Sequence, residues 1–146
     1  MKTSTPSTMA APLPMKGKVV LVRFPFDDFS AAKVRPAVCL TDLIGAHRHV
    51  VVAFITSRAP AELLDSDVVI SNTDPDFEET GLRVSSTLRL HRLMTITFDV
   101  ILRELGALAS ERLVKVDEKL LKLFRCVPAP PGDSSPSTPP DEPARD

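Results

Sequence analysis

The chain has 146 residues, 43% of them hydrophobic, and a formal charge of -1, which suits one globular domain and leaves no broad field of either sign. Any recognition of a polyanion would have to come from a local groove. Only five glycines and two cysteines are present, with no glycine-rich phosphate loop, no H-E-x-x-H helix and no cysteine spacing of a zinc site or a disulfide scaffold, so neither a metal nor a cofactor is expected.

Residues 1–15 are rich in Ser, Thr, Ala and Pro and read as a disordered extension. Lys2 is followed by no continuous apolar stretch and no later run reaches membrane-spanning length, so no secretory signal or membrane segment is expected and the protein reads as soluble and cytoplasmic. Residues 18–26 form the first predicted strand. Val20, Val22 and Phe24 share one face and Val19 and Leu21 the other; both faces are apolar, so one fills a core while the other calls for a partner, an argument for a dimer. The loop FDDFSAAK, residues 26–33, is placed to close over a substrate. Further strands are predicted over residues 36–41, 49–56, 67–71 and 87–97, short runs rich in Val, Ile, Leu, Phe and Thr separated by Gly, Asp, Asn and Pro. Together they read as a small barrel, mainly β. The acidic stretch 62–79 is expected to be a solvated connection around a strand.

Two helices are expected after the last long strand. Asp99 caps a short one stopping at Gly106, and Ser110 caps a longer one in which Leu113, Val116, Leu120 and Phe124 recur at helical spacing as a core stripe. Residues 128–146 hold seven of the fourteen prolines with Asp133, Asp141, Glu142 and Asp146 against Arg145, and have too little apolar surface to bury a core. The expected organisation is a folded domain over residues 16–127 between disordered ends, 1–15 and 128–146. Cys39 reads as a small buried hydrophobe.

Arg35 precedes Pro36 at the head of a strand, where a permanently charged fork of donors is presented on a backbone whose next φ is fixed. If Gly45-Ala46 forms a two-residue turn of the II′ type, the hairpin pairs residues whose numbers sum to 91. Ala37 then faces Phe54, Cys39 faces Val52, and Arg35 stands opposite Thr56 with Cβ atoms roughly 5 Å apart. A guanidinium and a hydroxyl would meet at the mouth of the barrel.

The ordered set G-x-V-V-L-V-x-F-P-F-D from Gly17, Arg35-Pro36, Ile55-Thr56-Ser57, G-L-x-x-S-S-x-L-R-L from Gly81 and L-G-x-L-x-x-E-x-L from Leu105 resembles the MazF/PemK family of toxin ribonucleases over roughly residues 17–124. The resemblance implies a small SH3-like β-barrel with a C-terminal helix, a homodimer, a cognate antitoxin as partner and single-stranded RNA as substrate. It also implies that Arg35 and Thr56 carry the cleavage. Some members have an acidic residue after the G-[LV] turn, whereas Val84-Ser85-Ser86-Thr87 has none; Ser86 most nearly occupies the place.

Metal-independent cleavage by attack of the RNA 2′-hydroxyl asks the protein for charge and positioning. Arg35 would stabilise the phosphorane, and Thr56 would hold the scissile phosphate. Phe26, Lys33, Ser57, Arg58, Ser86 and Arg89 are the candidate substrate contacts, with Arg83 a further phosphate contact and stacking left to Phe26, Phe29 and arginines. His91 is an outside candidate for proton transfer, and His47 and His49 flank the hairpin turn. The alternative is a non-catalytic SH3-like binding module or a toxin acting on a protein target, since one small barrel serves both.

Overall fold

Six short runs rich in aliphatic residues pair into one antiparallel sheet in the computed structural model, which describes residues 14–24 and 33–125. The strands are β1 (Lys18–Phe24), β2 (Lys33–Cys39), β3 (His49–Thr56), β4 (Asp67–Ile70), β5 (Ser86–Thr97) and β6 (Ile101–Ala107). Their spatial order is β4-β5-β3-β2-β1-β6. A one-turn helix α1 (Phe77–Thr80) lies between β4 and β5, and a long helix α2 (Ser110–Phe124) follows β6. The arrangement is barrel-like, but β4 and β6 stay at opposite ends of the order and the sheet is not closed.

Alternation along the strands builds two cores. Val19, Val38, Ala53, Ile55, Leu88, Leu90 and Val116 of α2 belong to one; Val20, Val22, Ala37, Cys39, Val52, Phe54 and Met15 belong to the other. Val19 on one face of β1 is covered by α2, and Val20 and Val22 on the other by Met15, Met94, Phe98 and Ile101. Leu21, on the Val19 face, belongs to neither core and stays half-buried. Burial also pushes the Cys39 thiol up to about 12, so this cysteine stays a protonated, unreactive packing group.

The β2–β3 register is the expected one: Ala37 faces Phe54, Val38 faces Ala53 and Cys39 faces Val52. The turn differs. Ile44 bridges His49, and the four residues 45–48 make the reversal, closed by the Arg48 N–H donating to the Gly45 carbonyl at 3.1 Å. Gly45 and Arg48 take the positive φ values, 75° and 54°. The two extra residues are absorbed between Ile44 and Leu40, whose N–H donates to the Val51 carbonyl at 2.7 Å, so the strand register is unchanged.

The segment expected as a short helix up to Gly106 is instead a 3-10 turn, Phe98–Val100, followed by β6. Its residues, ILRELGA, carry good helix formers. Pairing with β1 from Lys18 to Val22 overrides that preference, because β1 would otherwise expose a full row of unpaired backbone groups. A Cβ at Gly106 would overlap the carbonyl oxygen of Glu79, and one at Gly81 would overlap that of Leu105. Glycine lets α1 and β6 approach backbone to backbone.

In α2 the N-cap is Ala109, with no side-chain cap, and Ser110 is the first helical residue. Leu113, Val116 and Leu120 pack on the sheet as expected. Phe124 does not: it is 67% exposed, one turn past the last contact with the core. Phe124→Ala should therefore change stability by less than about 0.5 kcal/mol, whereas Leu120→Ala should cost about 1 to 3 kcal/mol. Thermal melts of the two variants check the difference.

The acidic connection is not merely solvated. Arg112 of α2 donates to Asp76 through Nε and Nη2 at 2.9 Å each, to Asp74 at 2.8 Å and to the Val69 carbonyl at 3.0 Å. The Arg112 hydrogen bond holds the Asp76 carboxyl below the usual aspartate range; for Asp74 the Ser71 N–H contributes first and Arg112 second. This clamp ties the β4–α1 connection to the helix. Cys126 and the chain ends expected to be disordered lie outside the described residues, apart from Pro14 and Met15.

Candidate functional site

The β2–β3 ladder runs from Cys39 to Ala37; Arg35 pairs with Val22 of β1, and Thr56 pairs with Thr87 of β5. Two concave spaces open where the strands part. The larger, about 680 Å³, is walled by the 55–58 strand end, the 81–84 turn and the β6 residues Arg103 and Leu105. The smaller, about 240 Å³, lies between Phe54, the 58–61 turn and the β5 residues Arg89 and Arg92. Arg35, Ile55, Thr56 and Arg58 line both. Arg35 and Thr56, expected to stand opposite each other, are not ladder partners, but both line these two spaces.

The lining is electrostatically one-sided. Arg35, Arg58, Arg83 and Arg103 line the larger cavity, and Arg35, Arg58, Arg89 and Arg92 the smaller, six arginines in all. Among the described residues that line them there is no Asp, Glu or His. A near-neutral chain has concentrated cations in one place, which favours a polyanion there. Leu21, Val34, Leu82 and Val84 add apolar wall.

Thr56 is fixed by a local turn. Its Oγ1 accepts the Arg58 N–H at 3.1 Å, while its own hydroxyl points to the Arg58 carbonyl at 3.4 Å, long for an O–H···O bond. The acceptor side is used and the hydrogen is weakly held. Ser57 is exposed on the larger cavity. Ser86 lines it too, but is buried and donates its hydroxyl to the Val84 carbonyl at 2.9 Å. Its side chain braces the wall.

Arg89 is not a loose surface charge. Its Nε and Nη2 donate to Asp67 Oδ1 and Oδ2 at 3.0 and 3.2 Å, and the Asp67 side chain is wholly buried. Lys33 is placed as the first residue of β2, and Phe26 and Phe29 lie outside the described residues. His91 is exposed and lines neither cavity. His47 and His49 sit at the turn end of the β2–β3 hairpin with ring centroids 5.9 Å apart.

Arg92 and Arg103 were missed by sequence reasoning. Arg103 stands opposite Leu21 of the first strand, and a strand reading of residues 101–107 would have found it by alternation. Arg92 enters because β5 bulges: Ala53 faces Leu93 but Ile55 faces Leu88, so residues 89–92 crowd opposite Phe54. No periodicity in the sequence marks that irregularity. Among the described residues no three His, Cys, Asp or Glu side chains come together as metal ligands, and no helix is long and apolar enough to cross a membrane.

The sequence profile of the PemK-like, MazF-like toxins of type II toxin-antitoxin systems matches residues 15–124. A sequence comparison with curated proteins returns no significant match. Among solved structures, the Deinococcus radiodurans MazE-MazF complex superposes with a TM-score of 0.60 at 20% identity, covering 78% of this chain and 97% of that one. The Mycobacterium tuberculosis toxin MazF-mt6 gives 0.54 at 21% identity, covering 73% and 95%. A mycobacterial endoribonuclease in complex with its cognate antitoxin gives 0.57 at 16% identity, covering 81% and 100%.

Proposed function

Because the chain belongs to the PemK-like, MazF-like toxins of type II toxin-antitoxin systems, we propose that it is a metal-independent endoribonuclease that cleaves single-stranded RNA in the arginine-lined groove. The observation that carries this reading is the sharing of Arg35 and Thr56 by both cavities, whose described lining holds six arginines and no carboxylate. A strand threaded past them would have its phosphates among cations on either side.

In the proposed reaction the RNA 2′-oxygen attacks the adjacent phosphorus, the bond to the 5′-oxygen breaks, and the 2′-hydroxyl proton is lost as the 5′-oxygen gains one. The products are a cyclic phosphate and a 5′-hydroxyl. Arg35, held at the head of a paired strand, offers a fixed fork of donors to the phosphorane oxygens, where negative charge grows as the bond forms. Thr56 turns its weakly held hydroxyl hydrogen from the Arg58 carbonyl to a phosphate oxygen, at small cost because the 3.4 Å contact it gives up is already long. The Arg58 N–H keeps Oγ1 in place during that rotation. Arg58, Arg83 and Arg103 neutralise flanking phosphates.

The partners that go with this reading are a cognate antitoxin covering the groove and a second copy of the chain in a homodimer. Two of the structural relatives are complexes, one of MazF with MazE and one of an endoribonuclease with its cognate antitoxin. The competing reading, a binding module without catalysis, has one observation in its favour: among the described residues no Asp, Glu or His lines either cavity.

One experiment separates them. Purified protein with a chelator present should cleave single-stranded RNA and leave cyclic phosphate and 5′-hydroxyl ends. Binding without cleavage would support the module, and activity lost with chelator and restored by magnesium would exclude the metal-independent route.

A further inference from the structure

We propose that the smaller cavity reads guanine at a position flanking the cleaved bond, with Arg89, buttressed by Asp67, as the reading residue. The inference rests on the RNA reading of the groove. It starts from the Arg89–Asp67 pair, whose residues face each other across the β4–β5 ladder.

Asp67 holds Arg89 with both carboxylate oxygens. The carboxylate is itself pinned, because Oδ2 also accepts the Leu64 N–H at 2.8 Å. The Asp67 side chain is 0% exposed while that of Arg89 is 20% exposed and lines the cavity. Asp67 engages the Nε–Nη2 edge of the guanidinium, which leaves the Nη1–Nη2 end edge as a second pair of parallel donors. A long side chain whose rotamer is locked this way presents that edge with little entropy left to lose.

A fixed pair of parallel N–H donors matches two adjacent acceptors. Guanine supplies them as O6 and N7, whereas adenine puts an amino donor beside N7 and cytosine offers its N4 donor. Phe54, Ala59 and Pro60 give the cavity an apolar wall for the base, as single-stranded RNA recognition requires once a base is unstacked. Arg92 and Arg58, on the same lining, supply charge for the adjoining phosphates. Arg35 and Thr56 are shared with the larger cavity, so the base held here belongs to a nucleotide next to the scissile phosphate.

The test uses full-length protein and two 2′-O-methyl heptamers, which resist cleavage, carrying a central guanine or adenine in a uridine background. Wild type should bind the guanine heptamer about tenfold more tightly, the discrimination of one good bidentate contact. Arg89→Lys keeps the charge and the Asp67 partner, and so the fold, but loses the fork. In it the preference should fall to within about twofold, while Arg92→Ala should weaken both complexes alike. Equal binding of the two heptamers by wild type overturns the inference, as does a preference that survives Arg89→Lys. A lysine variant weakened equally for both, from a wild type without preference, would make Arg89 a phosphate contact and also overturn it. Guanine-selective binding without RNA cleavage would sink the nuclease and keep this inference; cleavage with no guanine preference would do the reverse.

Discussion

Arg35→Ala is expected to lower the rate of RNA cleavage by about two to three orders of magnitude, the usual cost of removing one donor aimed at a developing oxyanion, and to abolish toxicity in growing cells. Arg35 is half-buried at the head of β2, between the β1 pairing at Val22 and the two cavities. Its guanidinium can meet phosphate oxygens in two directions at once, so Arg35→Lys, a point charge, should recover little of the rate. Its backbone pairing does not depend on the side chain, and the melting temperature of either variant should stay close to wild type. Single-turnover cleavage alongside a thermal melt checks both halves. Undiminished cleavage by Arg35→Ala would move the catalytic site elsewhere.

Gly106→Ala should be the most destabilising of the small substitutions, by about 2 to 4 kcal/mol, as forced overpacking against main chain is. The new methyl would meet the Glu79 carbonyl and the Thr80 backbone, and main chain cannot rotate away as a side-chain tip can. Either β6 slides from β1 or α1 lifts from β6. For a domain of this size that energy is a fall in melting temperature on the order of 10 °C. The consequence reaches the groove, because the 81–84 turn that follows α1 and the β6 residues Arg103 and Leu105 are opposite walls of the larger cavity. RNA affinity should drop even below the melting transition. An unchanged melt would show that α1 and β6 do not meet so closely in solution.

Much of the frame was legible in local pattern. The strand over His49–Thr56 was read with the bounds it has, and the β2–β3 register read from a two-residue turn at Gly45-Ala46, with apolar partners for Ala37 and Cys39, holds although the turn is four residues and not two. A one-residue slip would have turned buried Val52 and Phe54 to the wrong face. That constraint is stronger than turn chemistry, which is why the register survived a wrong turn.

What local pattern could not carry was every feature decided by a partner far along the chain. Residues 101–107 have helical preferences and became a strand because β1 needed an edge partner. Phe124 keeps the helical period of Leu113, Val116 and Leu120 but overshoots the sheet, and periodicity says nothing of where the surface beneath a helix ends. Asp67, Asp74 and Asp76 read as solvated charges, yet each found an arginine 22 to 38 positions away.

The sequence by itself determined the first five strands, their faces and the placing of Arg35 and Thr56 at one end of a hairpin, because alternation and register are short-range consequences of burying one face of a pleated chain. The tertiary structure alone decided that Arg58, Arg83, Arg89, Arg92 and Arg103 gather around that pair with no carboxylate among the described lining residues. They arrive from separate strands and turns, and only the closing together of those elements, driven by burial of two cores that contain none of these arginines, brings their charges into one groove.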